Sequence, residues 1–267
     1  MNFFRALAFI IAILPLTASA YSSRSYSSSS GDMMMGAGVP VSGSIAMPGS
    51  ATAVYTNPAG LIGNNGTRLS LQGGSDHPMD NPNPRALILA GNGMFGAGAG
   101  VDYRIQNGGT DTGYAVYGLA VNIAPLDFTL GLAGYTGIKT VSGSNFNAGF
   151  LFHPTSLVTI GGTAMGLKNT VSSYGLGIGL TLVSGFDLVA DSAFDSKFKN
   201  GEFKPGVRLS NGDAGISLSY GTGATSQFAK DISAAVYLKI TSNAQVEFEY
   251  NHGGDLPKYF ASLSFGF

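Results

Sequence analysis

The stretch from Lys258 to Phe267 constrains this chain more than any other. Tyr259, Ala261, Leu263, Phe265 and Phe267 fall on one face of an extended segment, and Phe260, Ser262, Ser264 and Gly266 on the other. Successive side chains of a strand point to opposite faces, so this one is apolar on one side and mostly small or polar on the other. The preceding hairpin repeats the pattern. Ile232, Ala234, Val236, Leu238 and Ile240 alternate with Ser233, Tyr237 and Lys239, and Ala244, Val246, Phe248 and Tyr250 alternate with Gln245, Glu247 and Glu249. A charged face opposite an apolar one, in adjacent strands, describes a wall between lipid and a polar interior. Pairing Ile240 with Ala244 across the Thr241–Asn243 turn keeps the apolar faces together and sets Lys239 diagonal to Glu247.

The same alternation runs upstream. Phe95, Ala97, Ala99, Val101, Tyr103 and Ile105 alternate with Gly96, Gly98, Gly100, Asp102 and Arg104. Leu126, Phe128, Leu130 and Leu132 alternate with Asp127, Thr129 and Gly131, and Tyr174 to Leu182 alternate with glycines. Strand-like segments fall at 67–74, 84–91, 95–105, 114–123, 126–135, 145–152, 157–166, 173–183, 186–195, 203–210, 213–221, 231–240, 244–251 and 258–267. That gives about fourteen strands, with about twelve as the alternative count, and an even number suits a bacterial single-chain barrel. Tight turns, such as Asn211-Gly212, alternate with longer polar connections, as expected of periplasmic turns and external loops. The expected fold is all-β: one transmembrane, antiparallel, up-and-down barrel over 67–267.

Composition agrees. Charged residues make up 11% of the chain and glycines number 40, while mean hydropathy is +0.20. A soluble domain carries about a quarter charged residues, whereas a wall apolar on alternate positions needs few. A net charge of -1 argues against nucleic acid as a partner, and zero cysteines exclude disulfides and a lipid-modified N-terminal cysteine. The charged head Asn2–Arg5, the apolar stretch Ala6–Leu16 and the small residues Ala18-Ser19-Ala20 read as a signal peptide over 1–20. That apolar stretch is shorter than the roughly 20 residues a membrane-spanning helix needs.

Residues 21–66 do not alternate. A serine-rich leader is followed by a Gly-, Pro-, Ser- and Ala-rich segment whose densest signature is Asn57, Pro58, Ala59, Gly60 and Leu61, preceded by Ala51, Ala53 and Tyr55. This resembles the N-terminal motif of the fatty-acid-transporter-like outer-membrane family, which includes long-chain fatty-acid and aromatic-hydrocarbon channels. The resemblance implies fourteen strands, an N-terminal hatch plugging the lumen, and passage of small hydrophobic or amphipathic solutes. Family members are substantially longer, with long external loops that capture substrate. Every outer connection here is short, so that capture site is not carried over. The alternative is a plugged or oligomeric barrel that organises lipid or envelope without transport. Interior glycines at 96, 98, 100, 131, 149, 175, 177, 179 and 215 either admit an inserted segment or let the wall twist. Gly96–Gly100 and Gly161-Gly162 are candidate breaks opening the wall to lipid.

Catalytic signals are sparse. His77, His153 and His252 sit in expected connections, Asp76, His77 and Asp80 are a faint metal grouping, and no Gly-x-Ser-x-Gly elbow occurs. No enzyme activity, cofactor or metal is expected. The charges expected to face the lumen are Asp102, Arg104, Asp127, Asp187, Asp191, Lys204, Arg208, Lys239, Glu247 and Glu249, with Asp187 and Asp191 neutralising Lys204 and Arg208 across the wall. They line a pore or pack a narrow lumen. Tyr259, Leu263, Phe265 and Phe267 resemble the recognition segment of the barrel assembly machinery. The expected partners are that machinery, outer-membrane lipid, a hydrophobic small molecule and further copies of the chain. The expected location is the Gram-negative outer membrane, with both mature termini periplasmic.

Overall fold

A computed structural model describes residues 44–48, 53–63, 65–75, 83–105, 109–139, 142–168, 171–199, 201–211, 213–223, 230–253 and 256–267. The signal-peptide and serine-leader readings lie outside them. Fourteen strands follow one another: β1 (Asn65–Ser75), β2 (Asn83–Asn92), β3 (Phe95–Arg104), β4 (Thr112–Ile123), β5 (Phe128–Lys139), β6 (Ser144–Thr155) and β7 (Val158–Met165). The second half holds β8 (Ser173–Val183), β9 (Phe186–Asp195), β10 (Gly201–Ser210), β11 (Ala214–Thr222), β12 (Lys230–Thr241), β13 (Ala244–Gly253) and β14 (Leu256–Gly266). Each pairs antiparallel with its neighbours in sequence, and β1 closes onto β14 from Arg68–Gly266 to Ser75–Tyr259. Closure leaves no sheet edge, so the backbone groups of the wall are satisfied within it.

Alternation sets the faces. Leu119 is 68% exposed, and Ile88 and Phe248 are 59% exposed, whereas Thr129, Ser70 and Ser233 on the opposite faces of their strands are buried. An exterior of exposed leucine, isoleucine and phenylalanine with serine and threonine buried inverts a soluble domain and matches a wall in lipid. Tyr259, Leu263, Phe265 and Phe267 all lie on that outward side, with Phe267 82% exposed.

The tight turns gather at one end and are held by side chains. Asn92 Oδ1 accepts the Met94 and Phe95 N–H groups at 3.0 and 2.8 Å, and Asn211 Oδ1 those of Asp213 and Ala214 at 3.1 and 2.8 Å. Short Asn side chains mimic a backbone turn in this way. Gly185 holds φ +81, and a Cβ there would fall on the Ser210 carbonyl. Only glycine fits that turn.

Three local readings are corrected. Asp127 is not on a strand: Ala124–Leu126 form a 3-10 turn containing Pro125, Asp127 follows at φ 44, and β5 begins at Phe128. Ile240 does not face Ala244, because β12 bulges between Lys239 and Thr241 and Thr241 takes that partner. The third concerns the wall itself. Gly96–Gly100 pair without interruption to β2 and β4, and Gly161 and Gly162 to β6 and β8, so neither breaks the wall.

Candidate functional site

The barrel interior is occupied. Pro58–Gly63 form a short 3-10 helix of two turns, and Ala53, Val54, Tyr55, Asn57, Ala59 and Leu61 are almost fully buried. Residues 57–62 lie against glycines of the inner wall. A Cβ on Gly96 would fall on the Leu61 backbone, one on Gly131 on Pro58 and Ala59, and one on Gly149 on the Asn57 amide. Gly161 and Gly177 give the same room to Ile45 and Ala46, and Gly179 to Met47. Gly118, Gly98 and Gly175 meet side chains of Leu61 and Ile45. Close approach of another backbone is a principal reason for glycine within a strand. Gly100 and Gly215 differ: their space is filled by β2 and by the Tyr237 ring.

Asn57 ties the pieces together. Its Nδ2 donates to the Ile45 carbonyl at 2.7 Å and to the Phe150 carbonyl of β6 at 3.0 Å, while its Oδ1 accepts the Ala59 N–H at 3.2 Å. One buried amide thus joins segment 44–48, the 3-10 helix and the wall. Gly60 has no room for a side chain, since a Cβ would meet the Pro48 ring. Pro58, Ala59 and Leu61 are buried beside it, so the five motif residues form one packed unit.

The interior has two unlike halves. On the β2–β7 side, Leu87, Leu89, Tyr114, Val116, Ala133, Tyr135 and Met165 form a core with Val54, Tyr55 and Leu61. Leu87 and Leu89 point inward while Ile88 between them points out, so β2 is apolar on both faces. The run Ala86–Ala90 carries that signal: continuous apolar residues mark a strand buried on both sides. Arg85, just before the run, was not among the expected interior charges. Its Nε lies 3.0 Å from Asp102 Oδ2, with 1% and 6% of the two side chains exposed, and its guanidinium sits 4.7 Å from the Tyr55 ring centroid.

The opposite wall is polar. Arg208 holds Asp187, directly across the β9–β10 ladder, through Nε at 2.9 Å and Nη2 at 2.8 Å, and Thr181 donates to the other Asp187 oxygen at 2.7 Å. Lys204 departs from the expected pairing. Asp191 is its ladder partner, yet its ammonium binds Asp231 of β12 at 2.6 Å. Asp191 Oδ2 instead accepts the Ile45 N–H at 3.0 Å. Gly221 of β11 leaves the gap that lets β10 and β12 meet, because a Cβ there would coincide with oxygens of Asp231 and Glu202. Asn251 and Ser233 complete the cluster, donating to Asp231 Oδ2 at 2.8 and 3.1 Å. Glu202 and Asp231 are the second residues of β10 and β12, in step with Lys204 and Ser233 on the inner face.

Glu247 and Glu249 are buried on the inner face of β13, while Lys239 is exposed at the β12 bulge, opposite Gln245. Asp127 lies at the turn end of the barrel, 59% exposed, with its carboxylate 3.4 Å from His153 Nδ1. Arg104 closes β3, and its side chain is outside the described ones. Asp76, His77 and Asp80 also lie outside the described residues, and His153 and His252 belong to β6 and β13 rather than to connections.

The Asp191 contact makes a local prediction. Asp191→Asn keeps an oxygen acceptor for Ile45, whereas Asp191→Ala removes it, at a cost of about 1 kcal/mol for a hydrogen bond lost. Hydrogen exchange at the Ile45 amide should therefore quicken in the alanine variant and stay close to native in the asparagine one.

A closed fourteen-strand barrel with a lipid-facing exterior and a polar inner wall has the architecture of an outer-membrane barrel. Solved structures of similar fold are the monoaromatic hydrocarbon channel CymD, the toluene transporter TbuX of Ralstonia pickettii and a FadL homologue of Pseudomonas aeruginosa. CymD is 12% identical over 86% of this chain and 98% of its own, with a TM-score of 0.58. TbuX is 11% identical over 86% and 98%, with a TM-score of 0.61, and the FadL homologue is 9% identical over 84% and 96%, with a TM-score of 0.58. At these identities the likeness is one of fold. No family model matches the sequence. No curated protein matches it either.

Proposed function

We propose that this chain is an outer-membrane channel for small hydrophobic or amphipathic solutes, gated by residues 44–48 and 53–63 acting as a hatch. The observation that carries the reading is the seat of Pro58–Gly63 against wall glycines of β3 to β6, where side chains would exclude it. A wall whose glycines make room for this segment suits a part that closes the lumen. The fold likeness to hydrocarbon channels supports the solute class. In this reading the tight-turn end faces the periplasm, the barrel assembly machinery recognises the outward face of β14, and no catalytic step is involved.

Asn57→Ala tests it in the full-length chain. Losing the amide leaves the Ile45 and Phe150 carbonyls without its N–H groups, and an unsatisfied buried polar group costs about 1–3 kcal/mol. The hatch should loosen, and proteoliposomes carrying the variant should swell faster than native ones in an isosmotic solution of a small aromatic alcohol. Equal swelling by both, at the rate of protein-free vesicles, would sink the channel reading and favour the structural one.

A further inference from the structure

The two ends of the barrel differ in charge. At the tight-turn end the exposed charged side chains are Asp127, Asp213 and Lys239, mixed in sign. At the loop end, among the described side chains, the exposed charged ones are all lysines: Lys168, Lys197, Lys199 and Lys230. The acids of that end, Asp111 and Asp195, are only half-exposed. Asp195 is also engaged, because its Oδ1 accepts the Lys197 and Lys199 N–H groups at 3.0 and 2.9 Å. That carboxylate fixes the short loop between β9 and β10 and leaves both ammonium groups outside.

Between those lysines stands Phe198, 62% exposed, and its ring belongs to a ledge of three. It stacks on Tyr174 with centroids 4.9 Å apart and planes at 11°, and tilts against Phe194 at 5.8 Å. Tyr174 and Phe194 are opposed on the β8–β9 ladder, and Tyr174 is in step with the outward Leu176 and Ile178. The ledge is therefore the loop-end margin of the lipid-facing surface. Exposed Phe203 and Tyr220 continue it along β10 and β11. Aromatic rings at the border of an apolar wall mark the headgroup level of a membrane, so Lys197 and Lys199 flank that level.

We propose that the Asp195–Lys199 loop is a docking site for a phosphate-bearing lipid of the outer leaflet. Its phosphates lie on Lys197 and Lys199, and its acyl chains descend the wall past Phe198, Tyr174 and Phe194. Charge selects the headgroup, and the rings select a lipid over a dissolved anion. Two exposed ammonium groups hold a free phosphate weakly, since exposed ion pairs gain little in water. A lipid whose chains already lie against the wall presents its phosphate at high local concentration and adds apolar contact with the rings. The site is outside the lumen, so it goes beyond the channel reading and stands whether or not the barrel conducts.

Native mass spectrometry of the full-length barrel, released from detergent micelles supplied with lipid A, reads the bound lipid. Lipid A stripped of its phosphates serves as the second probe. The native barrel should retain the phosphorylated form in preference. Lys197→Gln/Lys199→Gln should weaken its apparent affinity roughly ten- to thirtyfold, about what two lysines contribute at an anionic membrane surface. Lys197→Arg/Lys199→Arg should stay close to native, and so should Lys239→Gln at the opposite end. These side chains are exposed, so heat-modifiable mobility should show every variant folded. Equal retention of phosphorylated and stripped lipid by the native barrel, a comparison that needs no variant, would overturn the site. Equal affinity in the glutamine double variant would overturn it too. Complete displacement of the lipid by millimolar inorganic phosphate would make this a free-anion site and overturn the lipid assignment. The channel reading survives each of these results, because none of them involves the lumen.

Discussion

Replacing Arg85 by methionine is expected to destabilise the barrel by about 3–5 kcal/mol, the cost of removing one partner from a buried ion pair. Asp102 would be left with its carboxylate on the inner wall and little water to replace the guanidinium, since only 6% of its side chain is exposed. Arg85 also stacks over Tyr55 and lies 6.0 Å from the Phe260 ring, so its loss slackens the contact between the interior segment, β2 and β14. Paired substitution should behave differently. Arg85→Met/Asp102→Leu removes both charges and leaves nothing stranded, and well-packed apolar pairs are often neutral replacements for buried ion pairs. Urea unfolding of lipid-embedded protein, followed by heat-modifiable mobility, measures both. A single variant no weaker than the double would mean that the pair is solvated.

The second large effect is steric. Gly131→Val places a branched side chain where Pro58 and Ala59 run, and the obstacle is backbone, which cannot rotate aside as a side chain can. Overpacking costs about 1–3 kcal/mol when the surroundings can shift. Here the easier shift is ejection of the segment, because the barrel closes through its own ladders and Pro58–Gly63 is a short 3-10 helix outside them. A reporter at Val54, fully buried in the native chain, reads the outcome. Val54→Cys should react slowly with a membrane-impermeant maleimide, and quickly once Gly131→Val is added. Gly215→Val is the control, since its neighbour is the Tyr237 ring and not the segment. Equal labelling in all three would mean that the segment does not depend on the glycine cradle.

Much of the barrel was legible because lipid outside and polar groups inside impose one pattern on every strand. Strands such as β8 and β9 begin and end where the alternation does. Failures cluster where another force overrides that period. Asp127 looked inward only if the alternation ran through Pro125, but the proline bends the chain first. Ile240 lost its expected partner to a bulge, which shifts register without marking the composition, while Lys239 keeps its place opposite Gln245 and diagonal to Glu247. Leu87 and Leu89 obey a different partner altogether: the interior segment, not lipid, buries them. Their signal was the missing polar alternate in Ala86–Ala90.

The interior was half legible. Repeated glycine on the inner face admits two meanings, and the fold separates them residue by residue: Gly131 and Gly149 receive the segment, Gly215 receives a tyrosine ring. Lys204 was expected to pair across one hairpin and reaches over β11 instead, because Asp191 is engaged by Ile45 and Gly221 leaves the gap open. Such choices depend on which group occupies the lumen, which strand periodicity does not encode. The shortest ladder among the described strands, β10–β11 from Gly206 to Ser210, begins just after Pro205, whereas the glycines of β3 and β7 are paired on both sides.

Single-channel recording in planar bilayers tests the central claim most directly, with the native full-length chain set beside Gly131→Val. The account predicts a native protein that is closed or opens rarely, and a variant that conducts in large steps. Indistinguishable traces from two folded barrels would contradict it, because the interior segment would then not control the lumen.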